Sequence, residues 1–177
     1  YIPIGSDIHP NFPAQAPKVV SEGVKSPTSG TSCSCLIPNV NTDPTFSVVP
    51  TSGYTPPDYR NDDGSTLPIP LPFSFCMYGT NYSSCYINNN GNVTFDVPYS
   101  TFSPVGFPSA SYVMVAPFWG DVDTRNTSSG LVYYKITPTY MIVQWFKVGY
   151  YNSLVDKVNT FQVIITDGTD PILPAGS

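Results

Sequence analysis

The sequence predicts an all-β, sandwich-like antiparallel domain of many short strands, preceded by a proline-rich extended segment. Two observations carry this. Val, Ile and Thr together number 46, whereas Leu, Ala and Glu number six, five and one, the reverse of what helices favour. The 177 residues also contain 20 Pro and 13 Gly, which break the chain too often for long elements. Aromatic residues make up 14% and charged residues 11%, so there is material for a core and too little charge for a disordered polymer. The length suits one domain with appendages.

The elements follow in order. Residues 1–32 alternate prolines (Pro3, Pro10, Pro13, Pro17, Pro27) with small and polar residues and read as an extended leader or linker. Residues 33–60 form a cysteine-containing segment expected to pack on the domain, with one strand candidate, TFSVVP. The polar loop YRNDDGST opens the main body, residues 61–177. Its strands are expected at Ile69 to Tyr78, Ser83 to Ile87, Gly91 to Phe95, Tyr112 to Pro117, Gly130 to Ile136, Tyr140 to Val148 and Asn159 to Thr166, separated by NNNG, SPVGFPS, TRNTSSG and TPTY turns. In LVYYKITPTYMIVQWFKV, Met141, Val143 and Trp145 alternate with Ile142, Gln144 and Phe146. That strand is expected to be central and buried on one or both faces. No repeat of solenoid or propeller length occurs.

Function classes narrow quickly. The net charge is −5 with five Lys and two Arg, which argues against nucleic acid as a partner. No apolar run reaches the ~20 residues of a membrane-spanning helix. The only histidine, His9, and the only glutamate, Glu22, lie in the leader, a poor place for a triad or a histidine-ligated metal. The expectation is a protein that is not an enzyme and needs no cofactor.

Cysteines stand at 33, 35, 76 and 85 without a CxxC spacing. Cys76 and Cys85 flank an expected hairpin turn and are the expected disulfide. Cys33 and Cys35, one residue apart, stay open between mutual pairing, pairing elsewhere and free thiols. No signal peptide is visible at the start, so the chain reads as a processed product or a part of one. Disulfides and low charge point to an oxidising, extracellular location. Three N-x-S/T triplets begin at Asn81, Asn92 and Asn126, in contexts expected to tolerate a glycan.

Ordered motifs carry a resemblance: DDGST followed by LPFSF, then YINNNGNVTF, VAPFWGDVDTR with GLVYY, and finally VGYY and NTFQVIITDG. The stretch from Asn61 to about Pro174 resembles the nidogen-like (NIDO) extracellular domain of basement-membrane nidogens, tectorin- and mucin-type proteins and large bacterial surface proteins. The resemblance implies a secreted or cell-surface adhesion module of a larger protein, with no catalytic residues to carry over. Its partners would be a protein or glycan on a cell surface or matrix, or flanking domains of the same chain. The wording NNNGNVTF and FWGDVDTRN is similar to bacterial adhesins. Family members usually continue beyond this stretch, so an unpaired sheet edge is expected, open to completion by another segment.

Four candidate sites remain. Asp121 and Asp123, at i and i+2 of a strand, would share a face and suit calcium, or pair with Arg125 or turn amides. Asn61, Asp62 and Asp63 form a second cation candidate or simply a turn. Trp119, Trp145, Tyr133, Tyr134, Tyr150 and Tyr151 would make a sugar platform or pack the sheets. Asn88, Asn89, Asn90 and Gly91 are expected to be a hairpin turn and not a ligand site. The alternatives to an adhesion module are a carbohydrate-binding accessory module, an ordered fragment of a long chain bound to its export or assembly machinery, and a hydrolase using the aspartate pair.

Overall fold

The computed structural model describes residues 37–107 and 112–173. The leader with His9 and Glu22, and both Cys33 and Cys35, lie outside the described residues. Those described contain nine strands: β1 (Ser47–Val48), β2 (Ile69–Met77), β3 (Thr80–Asn88), β4 (Asn92–Thr94), β5 (Met114–Val115), β6 (Val122–Asp123), β7 (Leu131–Ile136), β8 (Tyr140–Tyr150) and β9 (Leu154–Thr166). One antiparallel sheet runs β1-β7-β8-β6, with β9 on the other edge of β8, and the second runs β2-β3-β4-β5. The all-β, sandwich-like expectation holds.

The core lies between the sheets. Ile69, Leu71 and Phe73 of β2 alternate with exposed Pro70, Pro72 and Ser74, and the buried three meet Val132, Met141, Val143 and Trp145 from the facing sheet. Trp145 is fully buried, and its ring stacks on Phe161 at 5.0 Å between centroids. Removing such a ring from water is worth roughly 4–6 kcal/mol at ~25 cal/mol per Å². β8 is central and buried on both faces, because the other face is also covered. Gln144 Oε1 accepts from the Val40 amide at 2.9 Å, and Lys135 Nζ meets Asp43 Oδ2 at 2.5 Å. Residues before the expected domain start therefore belong to the fold: β1 pairs with β7, and Thr51 bridges Thr66.

The expected Cys76–Cys85 bond is not formed, and both thiols are free. The hairpin turns on Tyr78 and Gly79, both at positive φ, which sets Cys76 opposite Asn81. A register shift between Pro70 and Phe75 then puts Cys85 opposite Ile69. Pro70 and Pro72 have no N–H to give the ladder, and the irregularity falls there. Cys76 ends exposed on the outer face of β2, whereas Cys85 is buried in the core with its thiol pKa pushed up to about 12 by burial.

The three glycan triplets also differ. Asn81 is exposed, Asn92 is fully buried with its Oδ1 accepting from Asn88, and Asn126 donates its Nδ2 to the Ser153 carbonyl at 2.8 Å. Of the three, Asn81 alone is exposed, and it lies near the start of β3 and not in a turn.

Native-state alkylation is expected to modify Cys76 rapidly and Cys85 only after denaturation; mass spectrometry with and without guanidinium checks it, and equal rates would contradict the burial. Gly91 combines φ +83° with a backbone approach so close that an added Cβ would lie 1.8 Å from the Phe118 carbonyl oxygen, whereas Gly79 at φ +80° has open space. Gly91→Ala is expected to cost about 2–5 kcal/mol and Gly79→Ala about 1–2 kcal/mol, measured by urea unfolding.

Candidate functional site

The motifs noted in the sequence converge on one loop cluster whose hub is the β3–β4 connection. Asn88 pairs with Asn92 across this hairpin, and Gly91 supplies the single positive φ among the loop residues between them. The loop is a turn, as expected, but a buried one. The Asn89 amide donates to Gly64 O at 2.9 Å, and its carbonyl accepts the Trp145 indole N–H at 2.8 Å. The Asn89 side chain donates to the carbonyls of Asp62 and Val122. Asn90 accepts from the Gly120 amide on its carbonyl and from the Val122 amide on Oδ1, and it donates to Asp63 Oδ1 at 2.8 Å and Ser100 O at 3.1 Å. Asn88 donates to Asn92 Oδ1 and Thr94 Oγ1 and accepts from the Tyr99 amide. Asn61 closes the set: its amide donates to Thr124 Oγ1, its carbonyl accepts from the Thr124 amide, and its Oδ1 accepts from Gly64 N at 2.8 Å. Each such bond nets only ~0.5–1.5 kcal/mol, but a buried amide left unpaired costs ~1–3 kcal/mol, so the loops are held as a set.

The carboxylates divide by role. Asp123 is fully buried. Arg125 grips it twice, Nε to Oδ1 at 3.0 Å and Nη2 to Oδ2 at 2.6 Å, and the amides of Arg125 and Ser153 add bonds at 2.9 and 2.7 Å. Burial alone would raise its pKa, but these donors outweigh it and hold the carboxyl below the usual range. Asp121 instead joins Asp62 and Asp63, with one oxygen of each lying within 4.8 Å of the others. Asp123 is not in that group, so the expected Asp121–Asp123 donor pair is divided. The residues able to hold a hard cation are Asp62, Asp63 and Asp121, three of the six to eight oxygens that calcium takes. Burial, reinforced by the charge of Asp123, pushes Asp62 up to about 6 despite an Arg125 contact at 2.8 Å. Burial and the charges of Asp63 and Asp123 raise Asp121 as well. Arg60, unremarked in the sequence, donates to the carbonyls of Thr124, Asn126 and Ser129 and pins the following loop.

The six aromatic residues expected as a sugar platform are dispersed. Trp145 is in the core and Tyr134 packs against it, while Tyr133 lies on the opposite face of the same strand. Trp119 sits edge-on to Tyr99, Phe107 and Tyr112 and donates its indole N–H to Thr101 O. Tyr150 and Tyr151 line a shallow groove beside Asp121, opposite a residue that sequence reasoning missed, Phe118. An asparagine run longer than a turn requires was the one available signal for the hub. Nothing in the local pattern marked Phe118.

Comparison with known proteins places this geometry in context. A family model described as NIDO related matches residues 39–173, a start earlier than the Asn61 expected from the motifs. Alpha-tectorin of Homo sapiens is 35% identical over 136 residues, 61% of this chain and 6% of that protein. Gallus gallus alpha-tectorin is 35% identical over 135 residues, 60% of this chain and 6% of that protein. Nidogen of Drosophila melanogaster is 28% identical over 129 residues, 58% of this chain and 10% of that protein. The aligned stretch thus spans a tenth or less of these curated relatives. These relatives are animal proteins, and the expected similarity to bacterial adhesins is not seen among them. No solved structure matches.

The charge arrangement generates a pH prediction. The folded state holds the Asp62 proton more tightly than the unfolded chain does, from a usual value of 3.8 up to about 6. Its contribution to stability is therefore complete below pH ~4 and lost as pH rises through about 6. Asp123 has the opposite sign, contributing at neutral pH and losing that contribution as pH falls below its unfolded value. Asp62→Asn is expected to gain about 1 kcal/mol on the wild-type chain between pH 4 and pH 7.5, after allowance for solvent screening. Thermal unfolding across that range checks it, and a constant difference would show that Asp62 titrates normally.

Proposed function

The chain belongs to the NIDO-related family, and from that premise we propose that it is a non-catalytic adhesion module of a larger secreted or surface-anchored protein. The domain is extracellular: its relatives alpha-tectorin and nidogen are secreted extracellular matrix proteins. No helix among the described residues is long and apolar enough to cross a membrane.

The observation that carries the proposal is the extent of the family match, 39–173, set against relatives in which the aligned stretch is a small part. A domain so used acts by what its surface meets. The disposition of the polar residues supports this reading. Asp123, Asn88 and Asn90 spend their hydrogen-bonding capacity on neighbouring loops, which fixes a shape and leaves outward contacts to other residues. The partner is proposed to be a matrix or cell-surface protein.

Solid-phase binding tests the proposal. The immobilised chain is incubated with solubilised matrix proteins, with the heat-unfolded chain as control. Saturable binding that survives glycosidase treatment of the matrix and is lost on protease treatment is expected. Equal binding by the unfolded chain, or none by the folded one, would overturn the adhesion reading, and sensitivity to glycosidase alone would transfer it to a glycan partner.

A further inference from the structure

Resting on that reading, the geometry points to a specific contact: the groove between Phe118 and Tyr151 receives a lysine or arginine side chain from the partner protein. Its walls are the exposed Phe118 and Tyr151 with the partly buried Tyr150, and its polar lining is Asp121 and Asn159. The walls are fixed before any partner arrives. The Phe118 ring packs on Phe161 at 5.1 Å, and Phe161 stacks on buried Trp145. Tyr150 Oη donates to Asp156 Oδ1 at 2.6 Å, and the Tyr151 amide bonds the Asp121 carbonyl at 3.0 Å, tying the two rims together. Gly120 leaves room for the Phe118 ring, because a Cβ there would lie 3.1 Å from it.

Charge selects the occupant. Among the described residues, Asp121 is the one charged residue lining this groove, and an oxygen of each of Asp62 and Asp63 lies within 4.8 Å of its own. Arg125, the guanidinium in contact with this group, is already committed to Asp123 and Asp62. A cation entering beside Asp121 therefore finds uncompensated negative charge in a partly desolvated place, where attraction exceeds its value in open water. The aromatic faces suit the rest of such a side chain: a guanidinium or ammonium lies favourably over a ring, and its methylene stem covers apolar wall. A neutral sugar would meet two polar side chains, few for its ring of hydroxyls, and a bare metal ion would make no use of the aromatic walls.

The test uses the 15N-labelled chain titrated with N-acetyl-lysine methylamide and N-acetyl-arginine methylamide, with the norleucine analogue and methyl glycosides as comparators. Saturable shifts of the Gly120, Asp121 and Tyr151 amide resonances are expected with the cationic probes, at an affinity at least fivefold above that of norleucine. Asp121→Asn and Phe118→Ala, both at the surface, should keep the wild-type spectrum elsewhere and weaken the cationic probes at least fivefold. Equal response to norleucine, preference for a glycoside, absence of these shifts, or an unaltered Asp121→Asn titration would each overturn the assignment. The matrix assay separates this from the broader reading. Wild-type binding that Asp121→Asn leaves intact would sink the groove and spare the adhesion module, whereas no wild-type binding would sink the module itself.

Discussion

The structure depends on one constraint: the β3–β4 connection is a turn placed inside the protein, where its amides have no water to meet. A surface turn leaves such groups to solvent, and its sequence matters little beyond the glycine. Here Asn88, Asn89 and Asn90 are all buried, so their side-chain donors and acceptors are met within the fold, with Asn89 Oδ1 the one left unpaired, and each failure costs ~1–3 kcal/mol. Segments 61–64 and 120–124 lie where they do because they supply those partners. The Trp145 indole bond to Asn89 O then couples the polar knot to the centre of the hydrophobic core. The polar and apolar halves of the fold are not independent, and loosening the knot loosens the packing of β8.

Electrostatics is arranged around the same loops with few cations. Both arginines of the chain are used there, Arg60 on a run of carbonyls and Arg125 on Asp123. A buried carboxylate without its guanidinium costs several kcal/mol, so Arg125 is held by Asp123 first and reaches Asp62 second. Asp121 and Asp63 are left as surplus negative charge at the rim. The internal requirement for one well-matched ion pair thus sets the external charge of the adjoining groove.

Much of the fold was legible because alternation is a property of faces, and faces are what the two sheets bury. Met141, Val143 and Trp145 against Ile142, Gln144 and Phe146 mark β8 as central from the sequence alone. What failed was register. The Cys76–Cys85 pairing assumed a turn centred between the two cysteines, whereas the tight turn at Tyr78 and Gly79 sets Cys76 opposite Asn81, and the shift near Pro70 and Pro72 then moves Cys85 to the opposite face. β6 is two residues long, too short for any periodicity to reveal. At the site, the adjacency of Asp121 and Asp123 in sequence suggested shared work. Ser153 and Arg125, which take Asp123 for themselves, are visible as partners only after the β8–β9 turn has brought Ser153 alongside. The groove was the least legible part, because Phe118 meets Tyr151 only through tertiary structure.

The buried position of Asn92 bears on how the domain is made. Its side chain lies at the centre of the knot, with no surface through which a sugar tree could leave, yet the triplet it heads is what glycosylating machinery recognises on an extended chain. A glycan on Asn92 Nδ2 and the burial of that nitrogen in the closed hairpin are mutually exclusive. In a compartment that attaches such glycans, the order of the two decides the fate of each molecule. A chain whose hairpin forms first becomes the folded domain, and a chain marked first at Asn92 is barred from it. In such a compartment speed of local folding, and not only final stability, is a condition for producing this module.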